Sequence, residues 1–143
     1  MSKSSGAPVP RGAYEGHLND DWKRAHGIFA GVKAGGYVVT QQAWIAPTLG
    51  NSWVNYDAAS YSAAGYFRDT LGIVHLRGIL KGGTLTSAAF TLPAGYRPAK
   101  IEYHAVVSNG AFGFCVVSSN GQVIPWVGNN AAFSLDGITF RAA

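Results

Sequence analysis

Cysteine is almost missing from this chain. Cys115 is alone among 143 residues, so no disulfide can close within one copy, and its neighbours Phe112, Phe114, Val116 and Val117 mark it as a buried thiol rather than a reactive one. Charge is scarce as well, at 13% of residues, and it is mixed in sign. Residues 1–43 set Lys3, Arg11, Lys23, Arg24 and Lys33 against Glu15, Asp20 and Asp21, and the remainder is similarly balanced around a formal charge of +4. Such a distribution offers no nucleic-acid patch and no polybasic membrane segment. No apolar run approaches the roughly 20 residues that cross a bilayer, and the N-terminus lacks the apolar stretch of a signal peptide. The expectation is therefore synthesis in the cytoplasm without membrane insertion. No internal repeat, collagen-like run or heptad seam is present, which excludes a long fibrous shaft within these residues.

Catalytic and metal constellations are also wanting. His17, His26, His75 and His104 are scattered, and Cys115 has no companion ligand, so no metal or other cofactor is expected. His75 and His104 fall within expected strands, where a structural or interfacial role outweighs ligation. Glycan cleavage would need paired carboxylates, yet Asp57, Asp69, Glu102 and Asp136 each suit a local task; Asp136, for instance, precedes Gly137 in an expected turn. Neither a Gly-rich phosphate loop nor a nucleophile elbow occurs. The chain reads as a non-enzyme.

What is abundant is apolar surface and glycine. Hydrophobic residues make up 48% of the chain, and 19 glycines favour turns and close packing over helices. One domain with a real core fits this length. With so little charge to cover it, a subunit interface would absorb the apolar surplus. Residues 1–16, rich in Ser, Gly and Pro, suit an extended arm. A short helix is expected near 20–33, capped by Asn19 or Asp20, with Trp22, Ala25, Ile28, Phe29 and Val32 at helical spacing and Gly35-Gly36 as its stop.

From Tyr37 onward the pattern turns to β. Residues 71–80 alternate Val74, Leu76 and Leu80 on one face with Ile73, His75, Arg77 and Ile79 on the other. Further strands are expected at 52–56, 64–68, 86–92, 100–107, 111–118, 122–127, 131–135 and 137–141. Gly82-Gly83, Asn109-Gly110, Asn120-Gly121 and Asp136-Gly137 supply the turns between them. Many short strands at this spacing indicate an all-β fold, an antiparallel β-sandwich of jelly-roll type carrying an extended N-terminal arm. Trp44 and Trp53 are expected to pack within it, and Arg68 and Asp69 to form an intrachain or intersubunit pair.

One stretch is distinctive: Phe90-Thr91-Leu92-Pro93-Ala94-Gly95-Tyr96-Arg97-Pro98, in which two prolines and a glycine fix a turn that carries an aromatic and an arginine. It follows Trp44, Pro47, Trp53 and Tyr56 in residues 44–56 and the Tyr66-Phe67-Arg68-Asp69 to Gly82-Gly83 stretch, and it precedes Ser134-Leu135-Asp136-Gly137-Ile138-Thr139-Phe140-Arg141. In this order the four segments, covering about residues 44–141, resemble the C-terminal head domain of tailed-bacteriophage tail fibres, receptor-binding proteins and minor tail proteins. The resemblance implies a virion protein made in the host cytoplasm, usually a homotrimer, often touching the host surface.

On that reading residues 44–143 form the head and residues 1–43 anchor it to other virion proteins of tail or capsid, with Tyr14, Trp22, Ile28 and Phe29 as anchor candidates. The expected function is that of a short tail-fibre or minor tail protein in host attachment; the alternative is a capsid decoration or head-fibre protein. Exposed rings and amides suit recognition of a host-surface glycan or protein, which makes Tyr61, Trp126, Asn129 and Asn130, all expected in loops, the contact candidates. For Trp126 a capping role over the core's end is an equal reading. Tyr96 and Arg97 join the candidates, although fixing their own turn is the favoured role for both.

Overall fold

The computed structural model describes residues 40–143, together with Val32–Lys33 and Gly36–Tyr37. The chain divides into two compact units, Met1–Thr40 and Gln41–Ala143. Within the first, β1 (Val32–Lys33) pairs antiparallel with β2 (Gly36–Tyr37). Val32 and Lys33 are therefore strand residues, which corrects the C-terminal end of the helix expected near 20–33: β-branched Val32 pairs with Tyr37, and Gly36 sits inside a strand instead of stopping a helix. The rest of that helix, the arm, and Tyr14, Trp22, Ile28 and Phe29 lie outside the described residues.

The second unit is all-β and antiparallel throughout, with no helix among the described residues. Its strands are β3 (Val54–Asn55), β4 (Gly65–Arg68), β5 (Ile73–Arg77), β6 (Ile79–Lys81), β7 (Phe90–Thr91), β8 (Glu102–Ser108), β9 (Ala111–Val117), β10 (Gln122–Val127), β11 (Phe133–Ser134) and β12 (Thr139–Arg141). One layer is a four-stranded sheet in the order β7-β10-β9-β8. The other consists of two three-stranded sheets, β12-β5-β4 and β11-β6-β3. The core fills the space between them. Tyr66 of β4 stacks on Phe90 of β7 with ring centroids 6.5 Å apart, Phe140 of β12 meets His104 of β8 at 6.0 Å, and Trp53 meets Phe133 edge-on at 6.1 Å. Val74, Leu80, Leu92, Val117, Val123, Phe133 and Leu135 complete an interior closed to solvent. Cys115 is sealed there, and burial pushes its thiol up to about 12.

The alternation expected over 71–80 holds, with Val74, Leu76 and Leu80 buried, but the segment is two strands in two sheets. Gly78 divides them at φ 116°, a conformation closed to side chains with a Cβ. Its N–H donates to Asp136 Oδ1 at 2.7 Å, and its carbonyl accepts from Leu135 N–H at 2.7 Å. A Cβ there would fall 2.6 Å from the Ala64 backbone. Asp136 thus does more than turn the chain. The hairpin of β8 and β9 closes on Asn109-Gly110, both at positive φ, as its sequence signals.

Two expected placements are corrected. Trp44 lies 38% exposed outside the core, edge-on to Phe67 at 4.5 Å with the Arg77 guanidinium 4.4 Å above its ring, because a cation over its face keeps the indole at the solvent boundary. Arg68 and Asp69 take separate partners. Arg68 donates to the Gly95 carbonyl at 3.0 Å, whereas Asp69 Oδ2 lies 2.8 Å from His75 Nε2 and its Oδ1 accepts from the N–H groups of Leu71 and Ile73. That carboxylate closes the turn between β4 and β5. The His75 hydrogen bond first, and the Ile73 backbone bond next, hold its pKa below the ordinary carboxylate value.

Gly78→Ala should cost about 3 kcal/mol or more, because strained φ and a backbone clash add. Gly110→Ala, whose Cβ would meet nothing within 4 Å, should cost only about 1 kcal/mol from its positive φ. Denaturant midpoints measure both, and equal losses would contradict the bend. For Asp69 the folded pKa lies below the unfolded one, so its contribution is fully present above the unfolded value of about 3.9 and disappears as pH falls through the lowered folded value. Asp69→Asn should therefore flatten the fall in urea stability between about pH 5 and pH 2; a fall as steep as in the unsubstituted chain would remove this pair from the acid response.

Candidate functional site

The six contact candidates do not form one site. Tyr96 and Arg97 are braces. Pro93 and Gly95 shape a turn in which Tyr96 N–H donates to the Pro93 carbonyl at 3.1 Å, with Gly95 at φ 91°. The Tyr96 ring stands edge-on to Tyr66 at 5.2 Å, and its hydroxyl accepts from Gln42 Nε2 at 2.7 Å. Burial, and next the Tyr96 hydroxyl, raise the Tyr66 pKa, so Tyr66 stays a neutral phenol. Arg97 Nε donates to the Leu92 carbonyl at 2.7 Å, and its own carbonyl accepts from Ala143 N–H at 2.8 Å. The distinctive loop thus ties β7, β4 and the last residue of the chain together.

Asn129 and Asn130 lie in the loop between β10 and β11, as expected, and serve to fix it. Ser108 Oγ accepts from Asn129 N–H at 2.8 Å and approaches the carbonyls of Asn129 and Ala132 at 3.0 and 2.9 Å. Asn129 Oδ1 accepts from Ala131 N–H, and Asn130 Nδ2 donates to the Gly83 carbonyl at 2.9 Å. Trp126 is in a strand, which corrects its loop assignment. The ladder of β10 on β9 shifts register between Pro125 and Val127, and this bulge sets Trp126 and Val127 on the side of Phe114, leaving both about two-fifths exposed.

Tyr61 occupies a cleft of about 370 Å³ lined by Tyr56, Ile79, Val107, Asn109, Gly110, Ala132 and Ser134. Tyr56 and Tyr61 meet edge-on at 5.6 Å, and Lys81 Nζ lies 5.5 Å from the Tyr56 ring centre. A tight turn holds Tyr61 in place: its N–H donates to the Asp57 carbonyl at 2.8 Å, while Asp57 Oδ1 accepts from Ala59 N–H. The two rings are 37% and 50% exposed despite this support. Solvent-facing aromatics beside the Asn109 amide and Ser134 provide stacking faces and directional polar groups. Tyr56 was not among the contact candidates drawn from the sequence, although its spacing of five from Tyr61 across the short Asp57–Ser60 turn was the available signal.

Among the described residues no group of three or more His, Cys, Asp or Glu could hold a metal. Three carboxylates are locally engaged, Asp57 and Asp136 with backbone N–H groups and Asp69 with His75, while Glu102 lies 3.2 Å from His104 Nε2 without hydrogen-bond geometry. No helix of the described residues is long and apolar enough to cross a membrane.

No family model and no curated protein matches the chain. Among solved structures it is similar to the receptor-binding protein gp15 of Listeria phage PSA, with 16% identity and a TM-score of 0.60 over 100% of this chain and 88% of that one. The likeness is one of fold: an all-β architecture.

Proposed function

We propose that this chain is a bacteriophage virion protein, a short tail-fibre or minor tail protein whose head contacts the host surface, assembled as a homotrimer and joined to the particle through residues 1–43. The observation that carries the reading is the fold likeness to a phage receptor-binding protein over the whole chain. A second support is the Tyr56–Tyr61 cleft, where two rings meet edge-on and are left open to solvent. Contact with a host glycan or protein would centre there, and Tyr96, Arg97, Asn129 and Asn130 would act indirectly by holding loops. Catalysis has no place in this reading.

Purified protein should adsorb to host cells and compete with phage. Tyr61→Ala combined with Tyr56→Ala should weaken that adsorption at least tenfold, about 1.4 kcal/mol, at unchanged thermal stability. Arg97→Ala should instead lower stability by roughly 1.5–3 kcal/mol through its lost bond to the Leu92 carbonyl, with adsorption of the folded fraction intact. Absence of adsorption by the unsubstituted protein, together with cryo-electron microscopy density on the capsid lattice, would replace this reading with the decoration role.

A further inference from the structure

The outer side of the four-stranded sheet is apolar, with Val116 buried at its middle, Phe114 and Ile124 half-buried, and the β8 side most exposed. Its cross-strand rows are Tyr103–Val116–Ile124, then Ala105–Phe114–Val127, then Val107–Phe112, and none of these eight positions carries a charge. Polar groups enter only at the far margin, where Gln122 pairs with Thr91. Exposure is high where an ordinary sheet would place Lys, Glu or Thr: Tyr103 67%, Val107 63% and Phe112 69%, with Ile101 adding 59% just before the strand. Beside them stand the half-open Trp126 and Val127 at the bulge.

We infer that this face is the surface through which copies of the chain associate. The inference rests on the homo-oligomer part of the reading above and names the residues that would form it. Area is the first argument. With aromatic side chains at roughly 150–250 Å² each, the six exposed residues present on the order of 700 Å² of apolar surface, near the ~800 Å² per partner of a standard specific interface. Composition is the second: aromatic and β-branched residues without Lys, Glu or Asp are the signature of a self-association patch, whereas an acidic or basic partner would find no counter-charge here. Rigidity is the third. The Tyr103 and Phe114 rings already stack at 5.1 Å and 12°, and the strands beneath them are fixed by paired ladders, so the backbone and this ring pair are ordered before association. Finally, β8 is the outermost strand of its sheet. A long apolar edge strand invites uncontrolled pairing unless a specific partner covers it.

The test uses the full chain. Sedimentation equilibrium should give a closed oligomer, a multiple of 15.0 kDa. Tyr103→Lys combined with Phe112→Lys should raise the dissociation constant at least about a hundredfold while circular dichroism stays unchanged, since both positions are open in the single chain. Because Cys115 is fully buried, a thiol introduced by Val107→Cys, where this face borders the cleft, is the reporter; it should be protected from thiol reagents in the oligomer and reactive in the lysine background. Leu71→Cys, at 84% exposure, supplies the reactive control. A monomeric chain overturns the inference, and a protected Val107→Cys thiol in that monomer would assign the face to the chain's own first forty residues. An oligomer insensitive to the lysines, with a reactive Val107→Cys thiol, also overturns it by placing the contact elsewhere. Host adsorption is read separately, so loss of this interface and loss of the attachment role remain distinguishable.

Discussion

The bend at Gly78 is the constraint on which the sandwich depends. Two three-stranded sheets must share one continuous run of chain, and the run can turn between them only where a residue tolerates φ 116° and allows the Ala64 backbone to approach. Asp136 and Leu135 then take up both polar groups of the bent peptide segment, so neither is buried without a partner. That arrangement brings the turn before β12 against the joint. Strands on either side keep Val74, Leu76 and Leu80 on the core side despite the change of sheet.

A second brace works from the opposite direction in the sequence. The loop from Leu92 to Pro98 gathers Gln42, Arg68 and Ala143 through Tyr96, Gly95 and Arg97, joining the start of the compact unit to its last residue. Its distinctive residues therefore do structural chemistry. A pattern of prolines, glycine, ring and guanidinium is as well suited to closing a domain as to meeting a ligand, and the partners found here are internal.

The core was legible because strand alternation reports which side chains share a face. Turn residues were legible for the same kind of reason: Asn109-Gly110 specifies backbone angles that little else does. Other features lay beyond a linear reading. Trp126 and Trp44 could each be placed only once a bulge and the Arg77 cation were known. The split at Gly78 was hidden because alternation continued unbroken across it. Over β9 both alternating sets are largely apolar, and in β8 the polar set of Glu102, His104 and Ser108 faces the core side, so composition could announce a surplus of hydrophobic surface without saying which set faces out.

Val107 links the two exposed surfaces. Its side chain belongs to the apolar outer rows of β8, and it also lines the cleft of Tyr56 and Tyr61 around the edge of the same strand. Asn109 and Gly110, in the turn that follows, stand at the mouth of that cleft. Whatever covers the outer face must therefore approach the rim of the aromatic site, and a ligand seated on the two rings would lie close to that cover. The hairpin of β8 and β9 positions both surfaces because Ser108, buried beside its turn, ties it to the 129–132 loop. Assembly and recognition would then share one rigid support, and a change in the packing of β8 would reach both.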